Sequence, residues 1–80
     1  MSVEESVKKI LLELLDVEES DLVPAATLIG DLEASSVDLV EVIASAENEF
    51  DIDISDEEAQ TLRTVGALTE FIQKKTAGGA

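Results

Sequence analysis

Three times in this chain a serine stands three residues ahead of an acid at the head of a helix-like run, and that repetition narrows the fold to helices. The pairs are Ser2 with Glu5, Ser35 with Asp38 and Ser55 with Glu58. Each is a capping box, in which the serine oxygen takes one orphan amide and the acid reaches back for another. After Ser2, the residues Val3, Val7, Ile10, Leu11, Leu14 and Leu15 recur at the spacing of one helix face, with Leu12 off it. After Ser35, Leu39, Val42, Ile43, Ala46 and Phe50 share a face over residues 36–50. The third pair predicts a short helix over Asp56–Thr61. Thr64 caps a fourth helix, where Val65, Leu68, Phe71 and Ile72 face one way. Lys74 and Lys75 fall in its last turn, where cations suit the helix dipole. Residues 76–80 are expected to fray.

Between the first two helices the periodicity stops for twenty residues, 16–35. Pro24 removes a backbone donor and restricts Val23, and Gly30 permits a turn. Leu22, Leu28 and Leu32 recur as apolar anchors, so the connection is expected to pack down, with a short turn around Leu28–Asp31. Asp51-Ile-Asp-Ile-Ser55 alternates over too few positions for a strand; Ile52 and Ile54 anchor a loop. The expectation is an all-α fold, a small four-helix bundle of three longer helices and one short one. A long loop joins helices one and two. Residues 1–76 form a single domain and 77–80 a flexible tail.

Eighty residues bury roughly 60% of the surface that the unfolded chain exposes. With two Phe and no Trp or Tyr, the core is aliphatic, a kind that admits a flexible ligand more easily than one built on large rings.

Charge excludes whole classes of partner. The net charge is −14, and residues 31–58 hold eleven acids without one Lys or Arg. Nucleic acids and anionic membranes require the opposite sign. The acid favours solubility, a monomer and partners with basic patches; the alternative is plain solvated surface. Cysteine and histidine are both absent, so disulfides, zinc sites and the common activated nucleophiles are excluded. No apolar run approaches the roughly 20 residues that span a bilayer. The opening MSVEESVKK lacks a secretory pattern. A cytoplasmic protein is expected.

Two chemistries fail on inspection. Asp51-x-Asp53-x-Ser55 begins like a calcium loop, but an EF-hand needs Gly sixth and a carboxylate twelfth, and Asp56 and Leu62 stand there. No metal site is expected. Chance carboxylate pairs are inevitable among nineteen acids, and without convergent cleft residues they do not make an enzyme.

Ser36 is the candidate site. A serine before a helix is ordinarily an N-cap, but two in a row allow Ser35 to cap while Ser36 projects. A phosphodiester on Ser36 would sit at the positive end of the second helix, pushed outward by Asp38 and Glu41. On that helix Val37, Val40, Glu41, Ala44 and Glu47 form a second face mixing apolar groups with carboxylates. It reads either as a docking surface or as an ordinary amphipathic helix with a wide stripe.

These residues resemble the bacterial type II acyl carrier proteins over nearly the whole chain. The family carries Asp-Leu-Gly-Ala-Asp-Ser-Leu before its second helix, and here Asp31-Leu32-Glu33-Ala34-Ser35-Ser36-Val37 stands in that place. Asn48-Glu49-Phe50-Asp51, Ile54-Ser55-Asp56-Glu57-Glu58-Ala59, Thr64-Val65 and Val7-Lys8-Lys9-Ile10 match further segments in order. The resemblance implies a carrier, not an enzyme. A phosphopantetheinyl transferase would attach 4′-phosphopantetheine covalently to Ser36, and the thiol would hold acyl intermediates as thioesters for fatty-acid or related lipid or polyketide synthesis. It implies that Val37, Asp38, Val40, Glu41, Ala44 and Glu47 meet acyl-transferring and chain-elongating enzymes, and that a growing chain shelters between helices two and three.

The departures imply a specialised member. Glu33 replaces Gly, Ser35 replaces an Asp that helps hold the metal during modification, Val37 replaces Leu and Ala44 replaces Met. Three alternatives stay open: modification at Ser35, an acidic interaction module without a prosthetic group, and an aminoacyl or peptidyl carrier.

Overall fold

Helices form where the caps stand. In the computed structural model, which describes residues 3–78, α1 spans Val3–Leu14, α2 Ser36–Phe50, α3 Asp56–Thr61 and α4 Val65–Gly78. Ser35 Oγ accepts the Asp38 amide at 3.1 Å, and Asp38 Oδ2 accepts the Ser35 amide at 3.0 Å. Ser55 and Glu58 repeat the box at 3.1 and 3.0 Å. Caps of this kind are worth about 1 kcal/mol each. The cap expected at Ser2 lies outside the described residues. Thr64 Oγ1 accepts the Ala67 amide at 3.0 Å. α4 continues as helix through Gly78, past the Thr76 where fraying was expected; the last two residues of the expected tail lie outside the description. The Thr76 hydroxyl donates back to the Ile72 carbonyl at 2.9 Å, and Lys75 pairs with Glu58 of α3 at 3.5 Å.

α1, α2 and α4 pack on one another, each contributing one stripe to an aliphatic core. Val7 and Leu11, Val42 and Ala46, and Leu68 and Ile72 are all but fully buried. Leu12, off the stripe, is exposed as its spacing implies. Leu39 and Phe50, expected in the core, are only half-buried. Leu39 faces the seam between α2 and α3 instead, where no helix covers it completely.

The long connection is packed, as its leucines require: Leu22, Leu28 and Leu32 are buried, joined by Ala26 and Ala34. It contains a 3₁₀ turn, Glu19–Asp21, that the sequence reading did not anticipate. At the expected turn, Asp31 donates its amide to Thr27 Oγ1 at 2.8 Å, and Asp31 Oδ2 accepts the Thr27 amide at 2.9 Å.

This loop also completes α4. The first amides of a helix have no acceptor within it. Here the Ala26 carbonyl takes the Val65 amide and the Pro24 carbonyl takes the Gly66 amide, both at 3.0 Å. The Leu28 amide donates to the Arg63 carbonyl at 2.9 Å. Gly66 eases this approach, because a Cβ there would lie 3.0 Å from the Pro24 carbonyl oxygen and 3.1 Å from Pro24 Cβ, a tight fit that the loop would have to relieve.

Candidate functional site

Ser36 is the first residue of α2, and its place follows from the serine before it. The Ser35 hydroxyl is spent on the Asp38 amide. Ser36 is exposed, and among the described residues its hydroxyl has no hydrogen-bond partner. The chain enters this pair through Glu33, whose φ of 56° is left-handed. That conformation ordinarily selects glycine. It turns the backbone so that Ala34 is buried and donates its amide to the Leu28 carbonyl at 2.9 Å, while the Glu33 side chain stays in solvent.

The six candidate docking residues divide by what they do. Val37 and Val40 are 67% and 68% exposed, high for branched aliphatic side chains. Glu41 and Ala44 are exposed beside them. Asp38 is half-buried and committed to the cap. Glu47 is half-buried too, and its Oε2 accepts the Ile54 amide at 2.9 Å. Its carbonyl closes the end of α2, taking the amides of Asp51, itself left-handed at φ 54°, and Ile52. Four of the six project freely, and two hold the backbone.

Two adjoining cavities of about 650 and 270 Å³ share Leu39, Ala59 and Gln60; the larger lies mainly between the loop around Leu28 and α3, the smaller between α2 and α3. Arg63 lines the larger. The sequence reading passed over it, although as the chain's only arginine it carried a signal. Glu58, on the far end of the α3 cap, has its carboxyl held below the usual value. The Ser55 backbone amide is the main cause, outweighing the opposing desolvation, with smaller help from the Ser55 hydroxyl and Lys75. Among the described residues no group of three or more acids, His or Cys could hold a metal ion, and no helix is long and apolar enough to cross a membrane.

Ser36 thus offers an exposed hydroxyl at the start of α2 that the cap does not use. Residues 5–72 match the family model described as a phosphopantetheine attachment site. The chain is 49% identical over 74 residues to the acyl carrier proteins of two strains of Buchnera aphidicola subsp. Acyrthosiphon pisum, covering 92% of each chain. The chain belongs to the acyl carrier protein family. A solved structure of the acyl carrier protein from Enterococcus faecalis superposes with a TM-score of 0.77 at 31% identity, covering 94% of this chain and 99% of that one. As an acyl carrier, the chain holds acyl groups on covalently attached 4′-phosphopantetheine for fatty-acid synthesis. The interaction-module and aminoacyl alternatives are not favoured by these relatives, which are carriers and not catalysts.

Proposed function

We propose that Ser36 is the attachment residue, and that this acyl carrier presents its cargo to enzymes docking on the exposed face of α2. The observation that supports it is the division of labour between adjacent hydroxyls: Ser35 is occupied by the cap, while Ser36 has no partner among the described residues. In attachment, Ser36 Oγ gains a bond to phosphorus as the pyrophosphate bond of coenzyme A breaks. Adenosine 3′,5′-bisphosphate departs, and the seryl proton passes to base. Once attached, 4′-phosphopantetheine supplies the thiol that holds acyl groups as thioesters. The neighbouring residues act through position and charge. Asp38 fixes the helix start, and Glu41 adds negative charge one turn on, favouring an arm that extends outward.

The docking face combines Val37, Val40 and Ala44 with Glu41, and includes Asp38 and Glu47. Partners with basic patches are steered to it by the −14 charge. The seam between α2 and α3 shelters the acyl chain. The protein acts as a monomeric, cytoplasmic carrier without catalytic activity. The replacements at Glu33, Ser35, Val37 and Ala44 make it a specialised one with dedicated partners.

Intact mass after incubation with coenzyme A and a promiscuous phosphopantetheinyl transferase tests the assignment. Wild type and Ser35→Ala are expected to gain one prosthetic group, and Ser36→Ala none. A gain in Ser36→Ala, lost in Ser35→Ala, would move the site to Ser35.

A further inference from the structure

The two adjoining cavities differ in the charged residues that line them. Glu47 and Asp56 are among the residues lining the smaller, and Arg63 lines the larger. Arg63 stands in a domain of net charge −14 with nineteen acids. Yet among the described residues it pairs with none of them; the ion pairs run Lys8–Glu4, Lys74–Glu70 and Lys75–Glu58. Its Nε donates to the Gln60 carbonyl at 3.2 Å. Gln60 lines the same cavity; Arg63 is exposed, and this bond ties its guanidinium to the backbone at the end of α3. The four terminal N–H donors are left for another acceptor.

A hydrocarbon cargo has no use for that cation. A cargo ending in a carboxylate does, because Arg63 is the charged residue lining this cavity, in a domain whose net charge of −14 otherwise disfavours anions. The smaller cavity has acids, Glu47 and Asp56, among its lining residues instead. Arg63 alone offers a planar donor fork that matches a carboxylate. Leu28, Leu39 and Leu62 supply apolar wall in the same space.

We propose that the larger cavity is a seat for acyl groups bearing a carboxylate at the far end, with the chain against these leucines and the carboxylate on Arg63. The proposal rests on the reading of Ser36 as the attachment residue. It makes Arg63 a specificity-determining residue for cargo.

The experiment compares the protein loaded with octanedioyl- and with octanoyl-phosphopantetheine, each transferred from its coenzyme A thioester and verified by intact mass. Melting temperature and the Arg63 Nε–H resonance are then read. An added negative charge on so acidic a domain should lower the melting temperature. The octanedioyl form is instead expected to melt about 2–5 °C above the octanoyl form, with the Nε–H resonance shifted. Arg63→Gln abolishes the gap, and Arg63→Lys keeps part of it. Equal melting in fully loaded wild type, or an undiminished gap in Arg63→Gln, overturns the seat. Failure to load, visible in the mass alone, overturns the Ser36 reading and the seat together.

Discussion

The Glu47 carboxylate accepts the Ile54 backbone amide at 2.9 Å, across the loop that joins α2 to α3. A residue expected to meet partner proteins thus also secures one wall of the α2–α3 seam. Glu47→Ala leaves a part-buried amide without its charged acceptor, and a loss of about 1–2 kcal/mol is expected. Glu47→Gln keeps an acceptor oxygen and recovers most of it. Urea unfolding measures both; a docking residue alone would leave the midpoint unchanged.

Glu33 holds a left-handed conformation at φ 56° with an exposed side chain. Such a backbone costs a non-glycine residue about 1–2 kcal/mol, part of which glycine loses again through its freer unfolded chain. Glu33→Gly is expected to gain about 0.5–1 kcal/mol, and Glu33→Ala to gain nothing. Equal effects of the two substitutions in chemical denaturation would show that the conformation is not the cause.

Gly66 sits in the first turn of α4 against Pro24. Inside an ordinary helix, glycine to alanine gains about 0.5–1 kcal/mol. Here the added methyl meets backbone that is itself hydrogen-bonded to Gly66, and the sign reverses. Gly66→Ala is expected to lose about 1 kcal/mol through overpacking, read as a lower denaturation midpoint.

The Glu58 carboxyl is held below its usual value, chiefly by the Ser55 backbone amide, with smaller help from the Ser55 hydroxyl and Lys75. A carboxyl with a depressed folded pKa adds stability above its unfolded value, and that stability is lost as pH falls through the folded value. Glu58→Gln therefore melts below wild type at neutral pH, and the gap closes as pH drops through and below the ordinary glutamate range. Calorimetry over a pH series checks it; a gap independent of pH would assign the effect to packing.

Helix starts were legible because a serine and an acid three residues apart leave a local signature: α2 and α3 begin where Ser35 and Ser55 imply. The turn at Glu19–Asp21 was not, since the residue before it is Glu18, outside the usual capping set, although the Glu18 amide does donate to Asp21 Oδ2 at 3.0 Å. At the site, helical spacing separated Val37, Val40, Glu41 and Ala44 from the core face correctly. The same spacing gave no hint that Glu47 turns its carboxylate to Ile54. Glu33 drew notice only through the glycine of the family pattern. Bonds such as Pro24 to Gly66 join residues far apart in the chain and leave no periodic mark in it.

That last contact has a consequence for how the molecule assembles. Because Pro24 and Ala26 close the first amides of α4, neither half of the chain is a complete folding unit. α4 gains its final acceptors only when the polypeptide has looped back across α2 and α3, an excursion that slows assembly. Hydrogen exchange at Val65 and Gly66 is therefore expected to require release of the loop around Pro24 as well as opening of the helix end.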